Sequence, residues 1–275
     1  MNELTGRIAI VTGAAGGLGR GIAERFAEEG ALVVVSDVDR EAGEKTSAAI
    51  GKNAVFRQTD VAEPEQVREL IRFAVDTLGG LHVMVNNAGV SGAMHPKFAD
   101  DDFADFHRIM SVNLLGVMVG TQEAAHHMAA HGGGSIINVT SVGGITAGRG
   151  VISYRASKAG LIQMSKSVAI DLAEHGVRVN CIAPGNIPTG LLGSSMSGDE
   201  ATGQVAVYRA VMALSTPLPR EGTPADVAEA ALYLAGERSA FVTGVVLPVD
   251  GGSSAGFALK PDDMVKLALS ASEAR

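Results

Sequence analysis

The chain has 275 residues, of which 46% are hydrophobic and 19% are charged, and its formal net charge is −8. This composition supports a large buried core rather than disorder, and a negative chain without lysine or arginine runs is not suited to tracking nucleic-acid phosphates. No apolar stretch approaches the roughly 18 residues of a membrane span, residues 1–6 do not resemble a signal peptide, and Cys181 is the only cysteine, so we expect a cytoplasmic protein without membrane or nucleic-acid partners.

Short β-branched runs alternate with amphipathic helical stretches, a pattern typical of a parallel sheet covered by helices on both faces. The predicted strands are 7–12, 32–36, 54–58, 82–86, 134–140, 178–183 and 245–249. The predicted helices are 18–29, 40–50, 64–78, 103–131, 154–175 and 224–235. Because crossovers between parallel strands are right-handed, we predict a doubly wound α/β fold with ligands at the carboxyl ends of the strands.

A glycine-rich run, GAAGGLG at residues 13–19, follows the first strand and opens the first helix. Glycines let the backbone approach a pyrophosphate, and a helix start offers free N–H groups and the positive end of a dipole. The spacing Gly-x-x-x-Gly-x-Gly differs from the usual Gly-x-Gly-x-x-Gly, so the glycines alone are also compatible with a plain tight turn.

Asp37 ends the second strand, about 20 residues beyond the glycines, where an acidic residue typically binds the adenosine ribose. A carboxylate there repels a 2′-phosphate and favours NAD over NADP, although Arg40 lies close enough in sequence to offset this. The alternative is that Asp37 caps the following helix.

Tyr154 and Lys158 are four residues apart at the start of a helical pattern, so both side chains share one face. A phenol with a pKa of about 10 is a poor base at neutral pH. A lysine cation and a positive nicotinamide ring would lower that pKa. Ser141 ends a predicted strand. Asn113 is a polar residue in the middle of a long helical pattern, where it costs stability unless its amide has a role.

These motifs, in this order along residues 5–256, resemble the short-chain dehydrogenase/reductase family. The resemblance implies a single Rossmann-type domain over residues 1–275, with seven parallel strands in the order 3-2-1-4-5-6-7. It also implies an NAD-dependent enzyme that transfers a hydride between the cofactor and a secondary alcohol or ketone, and assembly as a homotetramer.

The resemblance assigns two sets of residues. The catalytic set is Asn113, Ser141, Tyr154 and Lys158. The cofactor set is Gly13, Gly17, Leu18, Gly19, Asp37, Asp60, Val61, Asn87, Ala88, Gly89, Tyr154, Lys158, Pro184, Gly185, Ile187 and Thr189. In the implied mechanism Tyr154 exchanges the hydroxyl proton and Ser141 holds the substrate oxygen. Lys158 binds the nicotinamide ribose, and Asn113 organises a water chain.

The cofactor set also has assigned contacts. Asp60 and Val61 are implied to contact the adenine, whereas the backbone of Ile187 and the side chain of Thr189 are implied to hold the nicotinamide carboxamide. Asn87 is implied to lie near the cofactor and steady the sheet. The run VDGG at residues 249–252 matches the family's closing motif.

Two segments fall outside the regular alternation. Residues 187–222, with a predicted helix near 199–214, are expected to form a substrate-binding lid, and residues 253–275 form a C-terminal extension. The candidate substrate contacts are Met94, Leu191, Leu192, Met196 and Tyr208. Their apolar character favours a hydrophobic alcohol or ketone, unless they pack the lid or a subunit interface instead.

No metal site is predicted. His127 and His131 are four residues apart, but the sequence lacks the glutamate of a His-Glu-x-x-His motif. The acidic run at residues 100–102 precedes a helical pattern and is predicted to cap it. Cys181 is predicted to be a small buried residue.

Three functions remain open at this point. The first is an NAD-dependent secondary alcohol dehydrogenase or ketone reductase. The second is a reductase of 3-oxoacyl groups on acyl carrier protein or CoA, although Asp37 and the negative charge count against NADPH and an acidic carrier. The third is a non-catalytic dinucleotide-sensing regulator, which would be expected to lack Tyr154 or Lys158.

Overall fold

A computed structural model describes residues 2–95, 97–189 and 216–256 of the chain. The strands are β1 Ile8–Thr12, β2 Leu32–Asp37, β3 Ala54–Gln58, β4 Val83–Asn86, β5 Gly134–Val139, β6 Val177–Pro184 and β7 Val246–Val249. They form one parallel sheet in the order β3-β2-β1-β4-β5-β6-β7. The predicted fold class and strand order are therefore confirmed.

Helices connect the strands. They are α1 Gly17–Glu28, α2 Arg40–Ile50, α3 Pro64–Leu78, α4 Phe106–Met110, α5 Gly116–Ala130, α6 Ile152–Leu172 and α7 Pro224–Ala235. Within the described ranges, no helix combines the length and the apolar character that a membrane crossing requires.

The core lies on both faces of the sheet. On one face, Phe26 of α1 and Leu232 of α7 pack against the strands. On the other, Leu70 of α3, Met128 of α5 and Ala169 of α6 do so. Because helices cover both faces, the central strands read as continuous apolar runs, and all five residues of β1 are buried.

Cys181 lies in β6 and is fully buried, as predicted. Burial raises the pKa of its thiol, so the group behaves as a small apolar residue rather than as a nucleophile.

The region predicted as one helix over residues 103–131 differs from the prediction. The carboxylates of Asp101 and Asp102 accept hydrogen bonds from the backbone N–H groups of Phe103 and Ala104. Phe103 has a φ of 56°, which is incompatible with a right-handed helix. The helix therefore begins only at Phe106, and the prediction that the acidic run caps it is wrong.

A π-helical turn, Ser111–Leu115, separates α4 from α5. Such turns widen a helix locally and are frequent at functional sites. Asn113 lies in this turn, so the polar residue singled out in the sequence coincides with the irregular part of the helix.

Several predicted features lie outside the described residues. They are the helix near 199–214, residues 190–215 of the lid, residues 257–275 of the extension, and the substrate candidates Leu191, Leu192, Met196 and Tyr208.

Candidate active site

The glycine-rich turn is closely packed against the end of β4. Asn87 donates hydrogen bonds from Nδ2 to the carbonyl oxygens of Thr12 (2.8 Å) and Gly13 (3.1 Å). A Cβ atom on Gly19 would lie 2.5 Å from that nitrogen. Gly13 has a φ of +63°. These contacts explain why glycine is required at both positions.

The amino end of α1 is suited to an anion. The helix begins at Gly17, and no described side chain caps it or places an acid in its first turn. Its first N–H groups are therefore available at the positive end of the helix dipole, where a pyrophosphate binds well. Leu18, the next residue, packs on the core below.

Asp37 is held at the carboxyl end of β2. Its carboxylate accepts hydrogen bonds from the N–H groups of Ala15 (2.9 Å) and Asp39 (3.1 Å). Asp39, not Asp37, caps α2 by accepting a hydrogen bond from Ala42. The alternative role of Asp37 as a helix cap is therefore wrong.

Arg40 is engaged on the outer side of the sheet. Its Nε donates to Oε1 of Gln58 at 3.3 Å, and Nη1 lies 3.8 Å from Oε1 of Glu44. The guanidinium therefore already has partners other than the carboxylate of Asp37.

The adenine candidates follow β3. Asp60 accepts a hydrogen bond from the N–H of Ala62 (2.9 Å), and Val61 lies so close to Gly116 that a Cβ atom there would be 3.2 Å from the Cβ of Val61. The start of α5 and this loop therefore pack directly against each other.

The Asn-Asn-Ala-Gly run leads from the glycine-rich turn toward the catalytic candidates. The hydroxyl of Thr12 accepts hydrogen bonds from the N–H groups of Asn87 (3.0 Å) and Ala88 (3.1 Å). A Cβ atom on Gly89 would lie 3.3 Å from Nζ of Lys158 and 3.4 Å from Oδ1 of Asn113. The absence of a side chain at Gly89 keeps this space open.

Residues 184–189 cross from the end of β6 to the glycine-rich turn. Gly185 abuts Asp250 closely enough that a Cβ atom would lie 2.6 Å from the Cβ of Asp250. At the far end of the segment, Cγ2 of Thr189 lies 3.5 Å from the Cβ position of Gly17. Thr189 thus lies against the glycine-rich turn, whereas Gly185 lies against Asp250 and Ile187 against Gly222.

Tyr154 and Lys158 lie one turn apart in α6. Nζ of Lys158 is 5.8 Å from the centroid of the Tyr154 ring and donates to the carbonyl oxygen of Val139 at 2.9 Å. Ser141 follows β5, where its Oγ accepts from the N–H of Gly143 (3.0 Å) and is hydrogen-bonded with the hydroxyl of Tyr154.

Asn113 is fully buried, and its amide is completely used. Oδ1 accepts from the N–H of Val90 (2.8 Å), while Nδ2 donates to the carbonyl oxygen of Val90 (2.8 Å) and to Oγ of Ser157 (3.1 Å). The side chain therefore joins the loop after β4 to α6, which explains a polar residue inside a helix.

The chain resembles known proteins over most of its length. A family model described as enoyl-(acyl carrier protein) reductase matches residues 13–254. The chain is 38% identical over 251 residues to cis-4-hydroxycyclohexanecarboxylate dehydrogenase of Sinomonas cyclohexanicum, covering 90% of this chain and 97% of that protein. It is 36% identical over 259 residues to 2,5-dichloro-2,5-cyclohexadiene-1,4-diol dehydrogenase of Sphingobium indicum, covering 93% and 99%.

A crystal structure of a short-chain type dehydrogenase/reductase from Mycobacterium marinum matches the fold with a TM-score of 0.81 and 32% identity, covering 93% of this chain and 98% of that chain. This chain belongs to the short-chain dehydrogenase/reductase family. It is accordingly an oxidoreductase of the short-chain dehydrogenase/reductase type, and its relatives include dehydrogenases of alcohols.

Burial acts on the ionisation of both central groups. Burial raises the pKa of Tyr154, and the hydrogen bond with Ser141 and the charge of Arg155 only partly offset that rise. Burial also lowers the pKa of Lys158 to about 8. Burial therefore outweighs the charges that the chain itself places around the phenol, and the predicted lowering also depends on the positive nicotinamide ring.

A cavity of about 160 Å³ beside Tyr154 was not predicted from the sequence. Its lining comes from the segment after β4, from α4 and from the start of α6, namely Gly92, Ala93, His95, Asp101, Asp102, Phe103, Ala104, Asp105, Phe106, Ile109, Val151, Ile152, Ser153 and Tyr154. His95, Asp101 and Asp102 offer three polar atoms within 4.8 Å of one another on its wall. The substrate candidate Met94 is not among the lining residues, and its side chain contacts Gly150. The wall therefore mixes polar and apolar groups, and no periodic signal in the sequence marks it.

The two histidines weighed as metal ligands are used otherwise. The rings of His127 and His131 stack with centroids 4.1 Å apart, and Nδ1 of His131 lies 2.7 Å from the carbonyl oxygen of His127. Their four-residue spacing places them on one helix face, away from Tyr154.

Proposed function

We propose that this short-chain dehydrogenase/reductase interconverts a secondary alcohol and a ketone, with NAD as cofactor and Tyr154 as general acid/base. The observation that carries the proposal is the surroundings of the Tyr154 ring. Ser141 is hydrogen-bonded with its hydroxyl, and Lys158 approaches its ring. Ser141 follows the carboxyl end of β5, and Lys158 of α6 donates to the carbonyl oxygen of Val139 at that same end, where this fold class binds ligands.

The cleft fits a dinucleotide. Glycines 13, 17 and 19 leave room that a Cβ atom would fill, the start of α1 offers N–H groups, and Asp37 is held where a ribose hydroxyl can donate to it. NAD, when bound there, would supply the acceptor for the hydride of the carbinol carbon. The carboxylate of Asp37 and the engaged guanidinium of Arg40 support NAD over NADP.

The residues of the chain handle the proton. During oxidation the carbinol C–H bond breaks and its electron pair leaves with the hydrogen, while the O–H proton passes to the phenolate oxygen of Tyr154 and a C=O bond forms. Ser141 holds the substrate oxygen, and Lys158 binds the nicotinamide ribose. In reduction, the raised pKa of Tyr154 keeps its proton available for the new alkoxide.

A ring-bearing, largely hydrophobic alcohol is the substrate class we propose. The relatives named above act on substituted cyclohexane and cyclohexadiene alcohols, and the described side chains at the cavity mouth include Phe103 and Phe106. A panel of secondary alcohols that includes cyclohexanol, monitored by NADH formation, tests this class. Oxidation of linear alcohols only would contradict it.

A second candidate is reduction of 3-oxoacyl groups on acyl carrier protein or CoA. The matching family model is described as enoyl-(acyl carrier protein) reductase, so it supports acyl groups on that carrier and not the 3-oxo group itself. Asp37 and the net charge of −8 argue against NADPH and an acidic carrier. Acetoacetyl-CoA offered with NADPH distinguishes the two, since rapid turnover would favour this candidate. A purely sensing role is disfavoured because Tyr154 and Lys158 are both present and adjacent.

Replacement of the phenol tests the central assignment. Tyr154→Phe should lower kcat by about a thousandfold, the size expected for removing a general acid/base, while NADH still binds. Tyr233→Phe is the matched control, because Tyr233 lies in α7 and contacts Arg238 instead. Normal turnover by Tyr154→Phe would refute the assignment.

We also propose that the chain assembles as a homotetramer. Large apolar side chains are exposed on the helices after β4 and β5, namely Met118 of α5 (45% exposed) and Ile170 of α6 (78% exposed). Exposed apolar groups of this size are typical of contact surfaces. Light scattering tests the assembly, and a monomer at micromolar concentration would overturn it.

A further inference from the structure

Arg155 follows the proposed acid/base directly and folds back over the loop that carries Ser141. Its Nη1 donates to the carbonyl oxygen of Thr146 at 3.1 Å. A Cβ atom on Gly148 would lie 2.6 Å from Cζ of the guanidinium. The loop backbone therefore closes tightly around this side chain, and glycine at 148 makes the room for it.

Ser141 lies on the other side of the same loop. A Cβ position on Gly143 is 3.3 Å from Oγ of Ser141 and 3.5 Å from Nη1 of Arg155. The N–H of Gly143 itself donates to Oγ of Ser141. Gly143 is thus held between the guanidinium and the serine that is hydrogen-bonded with Tyr154, so the position of Arg155 bears on the position of Ser141.

The guanidinium is not fully satisfied by this loop. Its Nε is buried and has no hydrogen-bond partner among residues 2–95, 97–189 and 216–256. An unpaired buried donor costs folding free energy, so we expect the group to have a function that offsets the cost. Stabilising the phenolate of Tyr154 by the positive charge of the guanidinium is such a function.

Lys158 alone does not supply a constant charge. With its pKa lowered to about 8, its ammonium loses its proton in the range where a phenolate is needed. A guanidinium stays protonated at every pH at which the protein is folded. The charge of Arg155 also acts to lower the pKa of Tyr154.

Other groups face Tyr154 from the elements packed around it. Ser141 approaches from the loop after β5, and Lys158 from α6 itself. His95, Asp101 and Asp102 line the cavity from the segment after β4. A carboxylate near a phenol disfavours the phenolate, whereas a permanent cation near the ring favours it.

We propose that Arg155 is a positioning residue that holds the Ser141 loop against Tyr154 and supplies a permanent positive charge beside the reacting hydroxyl. The inference rests on the proposed role of Tyr154 as acid/base. It adds a residue for which the sequence analysis assigned no role.

Two variants distinguish the charge of Arg155 from its hydrogen bond to the loop at Thr146. Arg155→Gln keeps a donor for Thr146 but removes the charge, and Arg155→Lys keeps the charge but not the planar donor set. The kcat/KM for oxidation of cyclohexanol with NAD is measured from about pH 6 to about pH 10, the range that brackets the lysine and tyrosine ionisations. Arg149→Met is the matched control, because Arg149 is exposed on the same loop.

We expect Arg155→Gln to move the rising limb of the profile to higher pH and to lower kcat/KM near neutrality by about tenfold, a typical loss for a displaced catalytic group. Arg155→Lys should return the limb to the wild-type pH while kcat stays reduced. Arg149→Met should match the wild type. If Arg155→Gln does not fold, Arg155→Met is measured in its place.

An unchanged pH profile in Arg155→Gln would overturn the inference, and so would equal losses in Arg155→Gln and Arg155→Lys without a shift. Tyr154→Phe distinguishes this failure from failure of the proposed function. If Tyr154→Phe is inactive while the Arg155 variants behave as the wild type, only the role of Arg155 is wrong.

Discussion

The two sides of the cleft are built in different ways. On the proposed cofactor side, the side chain of Asn87 binds the backbone of Gly13 and packs against Gly19 at the ends of buried strands. On the proposed substrate side, residues 92–95 and 97–105 are mostly irregular, and Phe103 adopts a left-handed conformation. The conformation of the first side is set by the sheet, whereas the conformation of the second side is set by side chains that form hydrogen bonds with nearby backbone groups. The substrate side can therefore vary between relatives without disturbing the cofactor cleft.

The largest effect should come from filling the cofactor side. In Gly19→Ala the new Cβ would overlap the carbonyl of Gly13 and the amide of Asn87, so we expect a loss of about 3 kcal/mol in unfolding free energy, at the upper end for overpacking, together with loss of NADH binding. Gly16→Ala is the control, because no heavy atom lies within 4 Å of its Cβ position. Denaturant titration measures both, and a stable Gly19→Ala that binds NADH would show that the cleft is less rigid than described.

Lys158 lies between the two sides, and we expect its buried ammonium to lower the free energy of unfolding while it is required for activity. Burial lowers its pKa to about 8, so the charged form opposes folding below that pH, and the cost fades as pH rises toward the unfolded value. Lys158→Met should therefore gain about 2 kcal/mol of stability near neutral pH, allowing for one lost hydrogen bond, and lose this gain above about pH 10. Activity should fall by about a thousandfold.

Denaturant titrations at the two pH values measure that gain, and Lys166→Met, on the exposed side of α6, should show neither effect. A Lys158→Met protein less stable than the wild type at neutral pH would mean that the ammonium contributes more through its bond to Val139 than its burial costs.

Substitution of Asp37 tests how the proposed cofactor side selects NAD over NADP. Asp37→Ala removes the carboxylate that repels a 2′-phosphate, so the ratio of kcat/KM for NAD to that for NADP should fall by about tenfold or more. Asp39→Ala removes the cap of α2 and should cost about 1 kcal/mol of stability without changing this ratio. If the ratio is the same in Asp37→Ala and the wild type, another residue selects the cofactor.

The smallest effect probes the irregular side. Because Phe103 has a φ of 56°, Phe103→Gly should be more stable than Phe103→Ala by about 1 kcal/mol, the reverse of the usual order. Phe98, its edge-to-face neighbour in a 3-10 helix, provides the control. There the alanine variant should be the more stable one, and the same order at both positions would argue against strain at Phe103.

The sequence predicts the cofactor side well and the substrate side poorly, for physical reasons. Buried β-branched strands and glycine turns carry local signals, so all seven predicted strands match the observed ones within one residue at each end. Asp37 ends β2 and Tyr154 lies in the first turn of α6, as the pattern of the sequence indicates. The cavity beside Tyr154 has no such signal, because His95 and Asp101 meet through an irregular chain path. The side-chain direction of Arg155 likewise depends on a loop that only the folded chain defines.

The contact between Gly185 and Asp250 joins a segment that borders the cleft to the last turn described after the sheet. A protein is made from its amino end, and its early elements emerge from the ribosome first. The glycine-rich turn is therefore synthesised long before residues 184–189 can be held by the contact between Gly185 and Asp250. Binding of the proposed dinucleotide stabilises the chain only after both parts of the cleft have folded. During synthesis the coenzyme would therefore stabilise a nearly complete chain and would not direct the folding of its first residues.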